Sequence, residues 1–543
     1  MESLPATQFL LASLLEAKIA NARSASKTAS SFALGLPNAI MGDVVTRFPP
    51  EPSGYLHIGH AKAAMLNQYF AQMYKGKLII RFDDTNPSKE RTEFEDTILE
   101  DLRLLNIVGD SVSHTSDYFP QLHAFAIKMI ETGKAYADDT DNSQPRNFPC
   151  PCPSKQHVED NLQRFVEMSA GTEEGLRWCI RAKISVDNPN KALRDPVIYR
   201  TNLMPHHRTG DKWKIYPTNP QYLWMIEALS FTTSICVGFQ PSKLYLYLLS
   251  KRKLQWFVDR GLVRGWDDPR FPTVRGIRRR GMTVEAIRQF MLSQGPSQAV
   301  VSLEWDSIWA LNKKIIDPVA PRFWAVLKDD VVPVTILGGP TEYETKLQPK
   351  HKKNADAGEK TTVYGSSVLI EQVDAASFSD DEEITLMSWG NAVVRSRTVS
   401  SSGLITGISM DLKLDGDFRK TEKKITWLVS PIAKHPLVDV TLLDYDYLIT
   451  KKKLGENDDL EDVITPVTEF RQEAVAEASV LDLHKGDIIQ FERKGYYILD
   501  GVVDDGQGAG SRKLEFIRIP DGKAANLASK AADIGSGRAD DHT

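Results

Sequence analysis

Cysteine is scarce in this chain, with four in 543 residues. That is too few for a disulfide scaffold, and reduced thiols in the cytosol are the default expectation. No run of about 18 apolar residues occurs, so nothing reads as a membrane span. The apolar run Phe9 to Leu15 lacks the positive flank of a signal peptide, because Glu2 is the only charge before it. Leu11, Leu14, Leu15 and Ile19 fit a short amphipathic helix better. Arg23, Lys27 and the Ser-rich stretch Ser24 to Ser31 keep a mitochondrial presequence open as the alternative. Basic residues are not in excess either: 67 Lys and Arg face 72 Asp and Glu, a net charge of -5. Taken over the whole chain, that balance argues against a nucleic-acid partner, although such a sum can hide a local basic face. No internal repeat is visible.

What is present is ordinary for a globular protein. Hydrophobic residues make up 41% and charged residues 26%, and disorder throughout is excluded. At about 150 residues per domain, the length predicts three or four domains. Residues 1–43 read as a short helix and a Ser/Ala linker. From Val44 the pattern alternates. Val44–Phe48 reads as a strand, His57–Tyr74 as a helix and Lys77–Phe82 as a second strand. This is a βαβ unit, which predicts a parallel sheet. Two amphipathic helices follow, one with Phe94, Ile98, Leu102 and Leu105 on a face, the other with Leu122, Phe125, Met129 and Ile130. After about Pro321 short strands dominate, such as Val331–Leu337 and Asp439–Leu443, which predicts sandwiches or barrels. The tail from Lys523 is small and polar and reads as disordered.

The chemistry concentrates between Arg47 and His60. Three prolines and Gly54 stiffen a loop between strand and helix. A helix N-terminus offers N–H groups and partial positive charge, which suits a phosphate. His57 and His60 are spaced i, i+3 and share a face. Two imidazoles there can donate hydrogen bonds to a triphosphate, and Gly59 lets a flat ring approach the backbone. A metal pair or two surface histidines are the alternatives, but helical metal pairs usually sit at i, i+4.

The stretch Pro52-Ser53-Gly54-Tyr55-Leu56-His57-Ile58-Gly59-His60 resembles the HIGH signature of class I aminoacyl-tRNA synthetases. Arg47-Phe48-Pro49-Pro50-Glu51 and Arg81-Phe82-Asp83-Asp84-Thr85-Asn86-Pro87 narrow the resemblance to the glutamyl/glutaminyl branch. Leu249-Ser250-Lys251-Arg252-Lys253-Leu254 resembles that family's KMSKS signature. The resemblance implies that His57, His60 and Lys251 are catalytic. It implies that Pro52, Ser53, Gly54, Gly59, Leu249, Ser250, Arg252 and Lys253 join them in binding ATP with Mg²⁺. It implies that Arg47 holds the carboxylate of glutamate, beside Phe48 and Pro49, and that Asp83 meets the amino group. A guanidinium forks onto a carboxylate, and strand ends are where parallel α/β sheets bind ligands. For Asp83, a turn or cap is the alternative.

Between Lys251 and Arg280 ten Lys/Arg face three Asp, a local charge of +7. Arg275, Arg278, Arg279 and Arg280 cluster there with Trp256, Trp266 and Phe271 nearby. Gly265–Thr273 resembles the family's stem-contact region, so these arginines are expected to face tRNA. The expected architecture is multidomain α/β plus all-β. A Rossmann-like catalytic domain spans 44–320, with an acceptor-binding insertion at about 88–190 and a stem-contact region at about 254–320. Two anticodon-binding β-barrels span 321–522, and 523–543 is the tail. The stretches His206–Thr218, Asn219–Leu229 and Glu304–Lys314 resemble the eukaryotic and archaeal cytosolic glutamyl type. The expected partners are therefore L-glutamate, ATP and tRNA(Glu), in the cytoplasm. A glutaminyl enzyme is the lesser alternative.

The pattern breaks in places. Thr218 joins Asn219 directly, where the family carries a strand, loop and helix of its substrate pocket. Phe231–Tyr247 and Asn142–Ser154 look foreign, and Cys150-Pro151-Cys152 has no usual zinc spacing. Abrupt loss and recovery suggest a gene-model artefact. They also open a second functional reading, a tRNA-binding relative with impaired catalysis. Residues 1–43 are too short for the docking domain of cytosolic members, so docking to a synthetase complex is not expected.

Overall fold

The computed structural model describes residues 36, 39–140, 157–187, 189, 193–218, 251–294, 305–451, 459–504 and 512–523. The N-terminal helix, the Cys150–Cys152 segment, the passage 219–250 with Leu249 and Ser250, and the tail beyond Lys523 lie outside these residues. So does the side chain of Lys251. The chain divides into Met1–Ile40 and Met41–Thr543, and the elements below belong to the second unit.

The expected βαβ unit is β1 (Val45–Phe48), α1 (Ile58–Met73) and β2 (Lys77–Phe82). β1 and β2 pair in parallel, with Arg47 opposite Ile79. After α2 (Thr92–Leu104), β3 (Ser111–His114) adds in parallel beyond β2. Among the described residues this sheet has three strands in the order β1-β2-β3, and β1 is an edge. Leu78, Ile80 and Phe82 share one face of β2 and are at most 2% exposed, while Ile79 and Arg81 on the other face are half-buried. Ile98, Leu102 and Leu105 bury as their periodicity predicts, and all join one core with α1.

A second core forms between Phe119 and Tyr216. It packs α3 (Phe119–Glu131) and α4 (Val158–Ala170) against an antiparallel sheet. That sheet is β4 (Ala135–Asp138), β5 (Cys179–Ala182), β6 (Val197–Thr201) and β7 (Ile215–Pro217), paired in sequence order. Its register carries this core past residue 190, because β7 supplies Ile215 and Tyr216. On α3 the face differs by one residue from the expected one. Ala126 is buried and Phe125 is exposed.

Among the described residues four helices come next: α5 (Lys251–Asp259), α6 (Val274–Arg279), α7 (Val284–Gln294) and α8 (Trp305–Ile316). From Arg322 onward the described residues form two seven-stranded mixed sheets, curled into barrel-like shapes, and one two-stranded sheet. The strand Val332–Leu337 shows strict alternation of buried and exposed residues, as a one-sided strand should. The strand Val438–Tyr445 places Leu443 and Tyr445 in the same core as α6 and α8. No helix among the described residues is long and apolar enough to cross a membrane.

Candidate active site

The loop Pro49–Leu56 leaves the carboxyl end of β1 and is tied to neighbours through its backbone. Asp83 N donates to Pro50 O at 2.9 Å, so the ends of β1 and β2 are held together. Leu56 N donates to Asp101 Oδ2 at 3.1 Å, and Leu56 O accepts from Val274 N at 2.9 Å. The chain then enters α1 through His57, an N-cap with extended backbone (φ -116°, ψ 175°).

The two histidines cap this helix reciprocally. His57 Nδ1 accepts from Gly59 N at 3.0 Å, and His60 Nδ1 accepts from His57 N at 3.2 Å. In a neutral ring, an accepting Nδ1 leaves the proton on Nε2. The capping box therefore fixes Nε2–H as the donor of both imidazoles. The ring centroids lie 3.8 Å apart. The imidazole of His57 lies against Gly59. A Cβ at Gly59 would lie 2.9 Å from His57 Cε1.

His57 and His60 line a cavity of about 220 Å³ together with Glu51, Ser53, Gly54 and Leu254. Leu254 is the fourth residue of α5, so the helix that begins at Lys251 reaches this cavity. Arg252 is exposed and Lys253 half-buried, and Pro52 is buried in the loop.

Arg47 is buried on β1, and Asp83 follows β2 half-buried. Burial pushes the Asp83 carboxyl up to about 7, and the negative charge of Glu51 adds to this. Arg47 acts in the opposite sense, so the two side chains lie within electrostatic reach. Thr85 Oγ1 donates to Asp83 Oδ1 at 3.4 Å. Phe48 packs into the core at 2% exposure, and Pro49 is half-buried at the start of the loop.

Sequence reasoning missed a bracket beside Asp83. Asp84 is fully buried and accepts from Ser116 N at 2.9 Å and Ser116 Oγ at 2.5 Å. His206 Nε2 donates to Asp84 O at 2.8 Å, and its Nδ1 accepts from Arg208 N and Thr209 N, both at 3.2 Å. Both nitrogens are therefore committed. Glu95 bridges His114 Nε2 at 2.9 Å and His207 Nε2 at 2.8 Å. Buried Glu90 accepts from Asn86 N at 2.7 Å, while its Oε2 has no hydrogen-bond partner among the described residues. Burial pushes this carboxyl up to about 9. The available signal was the pair of adjacent histidines, which no surface pattern required.

The four arginines expected to face tRNA are engaged within the protein. Arg275 Nε donates to Asp101 Oδ1 at 2.7 Å, and its Nη2 reaches Glu100 Oε2 at 2.7 Å and Thr97 O at 3.1 Å. Arg279 forks onto Asp500 with two bonds of 2.7 Å and meets Asp267 at 3.0 Å. Arg280 donates to Tyr445 O at 2.6 Å, and Arg278 to Met282 O. Arg260 and Arg264 likewise pair with Glu461 and Glu469. Acids from outside the segment neutralise much of the local +7. A guanidinium carries five N–H donors, so these bonds leave donors on each of the four arginines.

The chain matches known families along most of its length. The catalytic domain of "tRNA synthetases class I (E and Q)" matches residues 43–219 and 218–318. Two anti-codon binding domains of the same group match residues 320–413 and 424–500. The two catalytic segments meet where Thr218 joins Asn219. A Schizosaccharomyces pombe protein named "Probable glutamate–tRNA ligase, cytoplasmic" is 52% identical over 526 positions, covering 91% of this chain and 72% of that protein. The "Glutamate–tRNA ligase, cytoplasmic" of Saccharomyces cerevisiae is 50% identical over 554 positions, covering 96% and 76%. That alignment is longer than the 543-residue chain, so it includes positions this chain lacks. The protein of the same name from Arabidopsis thaliana is 46% identical, covering 90% of this chain and 71% of its own length. A strand-end loop, a histidine-capped helix and these matches lead to one conclusion: the chain belongs to the class I tRNA synthetases of the E and Q group.

Proposed function

We propose that this chain is a cytoplasmic, ATP-dependent glutamate–tRNA ligase. The observation that carries the reading is the reciprocal capping of α1, which fixes Nε2–H donors on His57 and His60 at one cavity. Two such donors beside a helix N-terminus suit a triphosphate. Asp83 supplies a carboxylate for the ammonium of glutamate, and Arg47 a guanidinium for its carboxylate.

The substrate is ATP with its Mg²⁺. A carboxylate oxygen of glutamate attacks the α-phosphorus, the α–β phosphoanhydride bond breaks, and pyrophosphate leaves. The histidine pair meets charge on the phosphates, and Lys251, at the start of α5, adds a compact positive charge. A terminal ribose hydroxyl of tRNA then attacks the glutamyl carbonyl and releases AMP. The chemistry depends on positioning more than on proton transfer. Residues 320–413 and 424–500 read the anticodon in this proposal.

Glutamate-dependent exchange of pyrophosphate into ATP, with tRNA present, tests the reading. Clear exchange supports it. Binding of tRNA with exchange at background favours a non-catalytic tRNA-binding role, and exchange with glutamine in place of glutamate favours the glutaminyl alternative.

A further inference from the structure

Asp101 lies near the end of α2 and is fully buried. It does not line the cavity, yet it holds the loop that does. Its Oδ2 accepts from Leu56 N and its Oδ1 from Arg275 Nε, at 3.1 and 2.7 Å. Leu56 immediately precedes His57. Its carbonyl accepts from Val274 N, so α2 and α6 grip both backbone groups of this one residue. Arg275 adds a second hold. Its guanidinium lies over the ring of Tyr55 at 5.3 Å, and that ring stacks on Trp266 at 5.2 Å.

We propose that Asp101 and Arg275 are positioning residues of this loop. Through Leu56 and Tyr55 they set how the chain enters His57, and hence where the two imidazoles stand, without touching a substrate. The consequence for turnover rests on the nucleotide reading given above. A buried carboxylate persists only where its charge is met. Here a guanidinium and a backbone N–H meet it. Without that charge, Leu56 N–H loses a strong acceptor and Arg275 its buried partner. A shift of about 1 Å in a positioned group lowers a rate by up to about a hundredfold.

The test uses the full chain and two variants, Asp101→Asn and Arg275→Lys. The lysine variant keeps the charge and loses the fork, and it carries the test if Asp101→Asn does not fold. Hydrogen exchange without ligand is read over residues 52–60. Either variant should exchange there about fivefold faster, with α7 and the C-terminal sheets at parent rates. Pyrophosphate exchange should lose about tenfold to a hundredfold in kcat, with KM for glutamate within about twofold. Loop exchange at the parent rate in a folded variant would overturn the proposal, even if Tm fell. A loosened loop in a parent chain with no pyrophosphate exchange would sink the nucleotide reading and leave the positioning role standing.

Discussion

His57 donates its backbone N–H to the ring of His60, and its own ring accepts from Gly59 N within the same turn. One pair of side chains thus starts the helix and fixes the tautomer it offers to a ligand. Structure and chemistry can be separated here. Asparagine is a good N-cap, so His57→Asn should keep Tm within about 3 °C while pyrophosphate exchange falls at least about a hundredfold. His57→Ala should lose the same activity and also about 1 kcal/mol of stability. Thermal melts beside exchange rates check both. A large loss of Tm in His57→Asn would show that the ring itself, rather than capping, holds the fold.

Asp83 should make glutamate binding pH-dependent. Its carboxyl sits at about 7, raised first by burial and then by Glu51. Only the ionised form pairs with an ammonium, so KM for glutamate should fall as pH rises from 6 to 8. Asp83→Asn should raise KM at every pH and flatten the profile. A pH-independent KM in the parent would contradict this role.

Glu90 gives a prediction of the opposite kind, about stability. Its folded value of about 9 lies above the ordinary value of 4.5, because of burial. For an acid shifted upward, the unfolded chain ionises first. Stability is therefore full below the ordinary value and is lost as pH climbs toward the folded one, by at most about 1.4 kcal/mol per pH unit. Glu90→Gln should remove that slope. Its Tm should exceed the parent's at pH 8 and approach it at pH 5.

Arg279 tests whether the basic segment is internal. It forks onto Asp500, a half-exposed cation on a nearly buried carboxylate. Breaking such a pair leaves a charge unmet and costs about 3 kcal/mol. Asp500→Asn should lower Tm by several degrees and leave the salt dependence of tRNA binding unchanged. Arg279→Ala should behave the same way. If Arg279 meets a phosphate instead, its loss should reduce the salt slope by about one.

The strand Lys77–Phe82 and the helix from His57 were readable because burial imposes a period, and the period is written in Leu78, Ile80 and Ile98. The HIGH-like stretch was readable because its residues are contiguous. Asp101 was not, because it sits among the polar residues of an amphipathic helix and its partners are 45 and 174 residues away. The partners of the arginines were hidden for the same reason. A window of sequence counts only its own charges, while Asp500 is 221 residues from Arg279. Burial of Glu90 likewise depends on the surroundings that the fold assembles around it.

The measurement that tests the central claim most directly is glutamate-dependent pyrophosphate exchange into ATP by the full chain, with tRNA present and His57→Asn alongside. Exchange well above background in the parent, reduced at least about a hundredfold in the variant, is the predicted result. Tight binding of tRNA by the parent, with exchange no faster than in the variant, would contradict it.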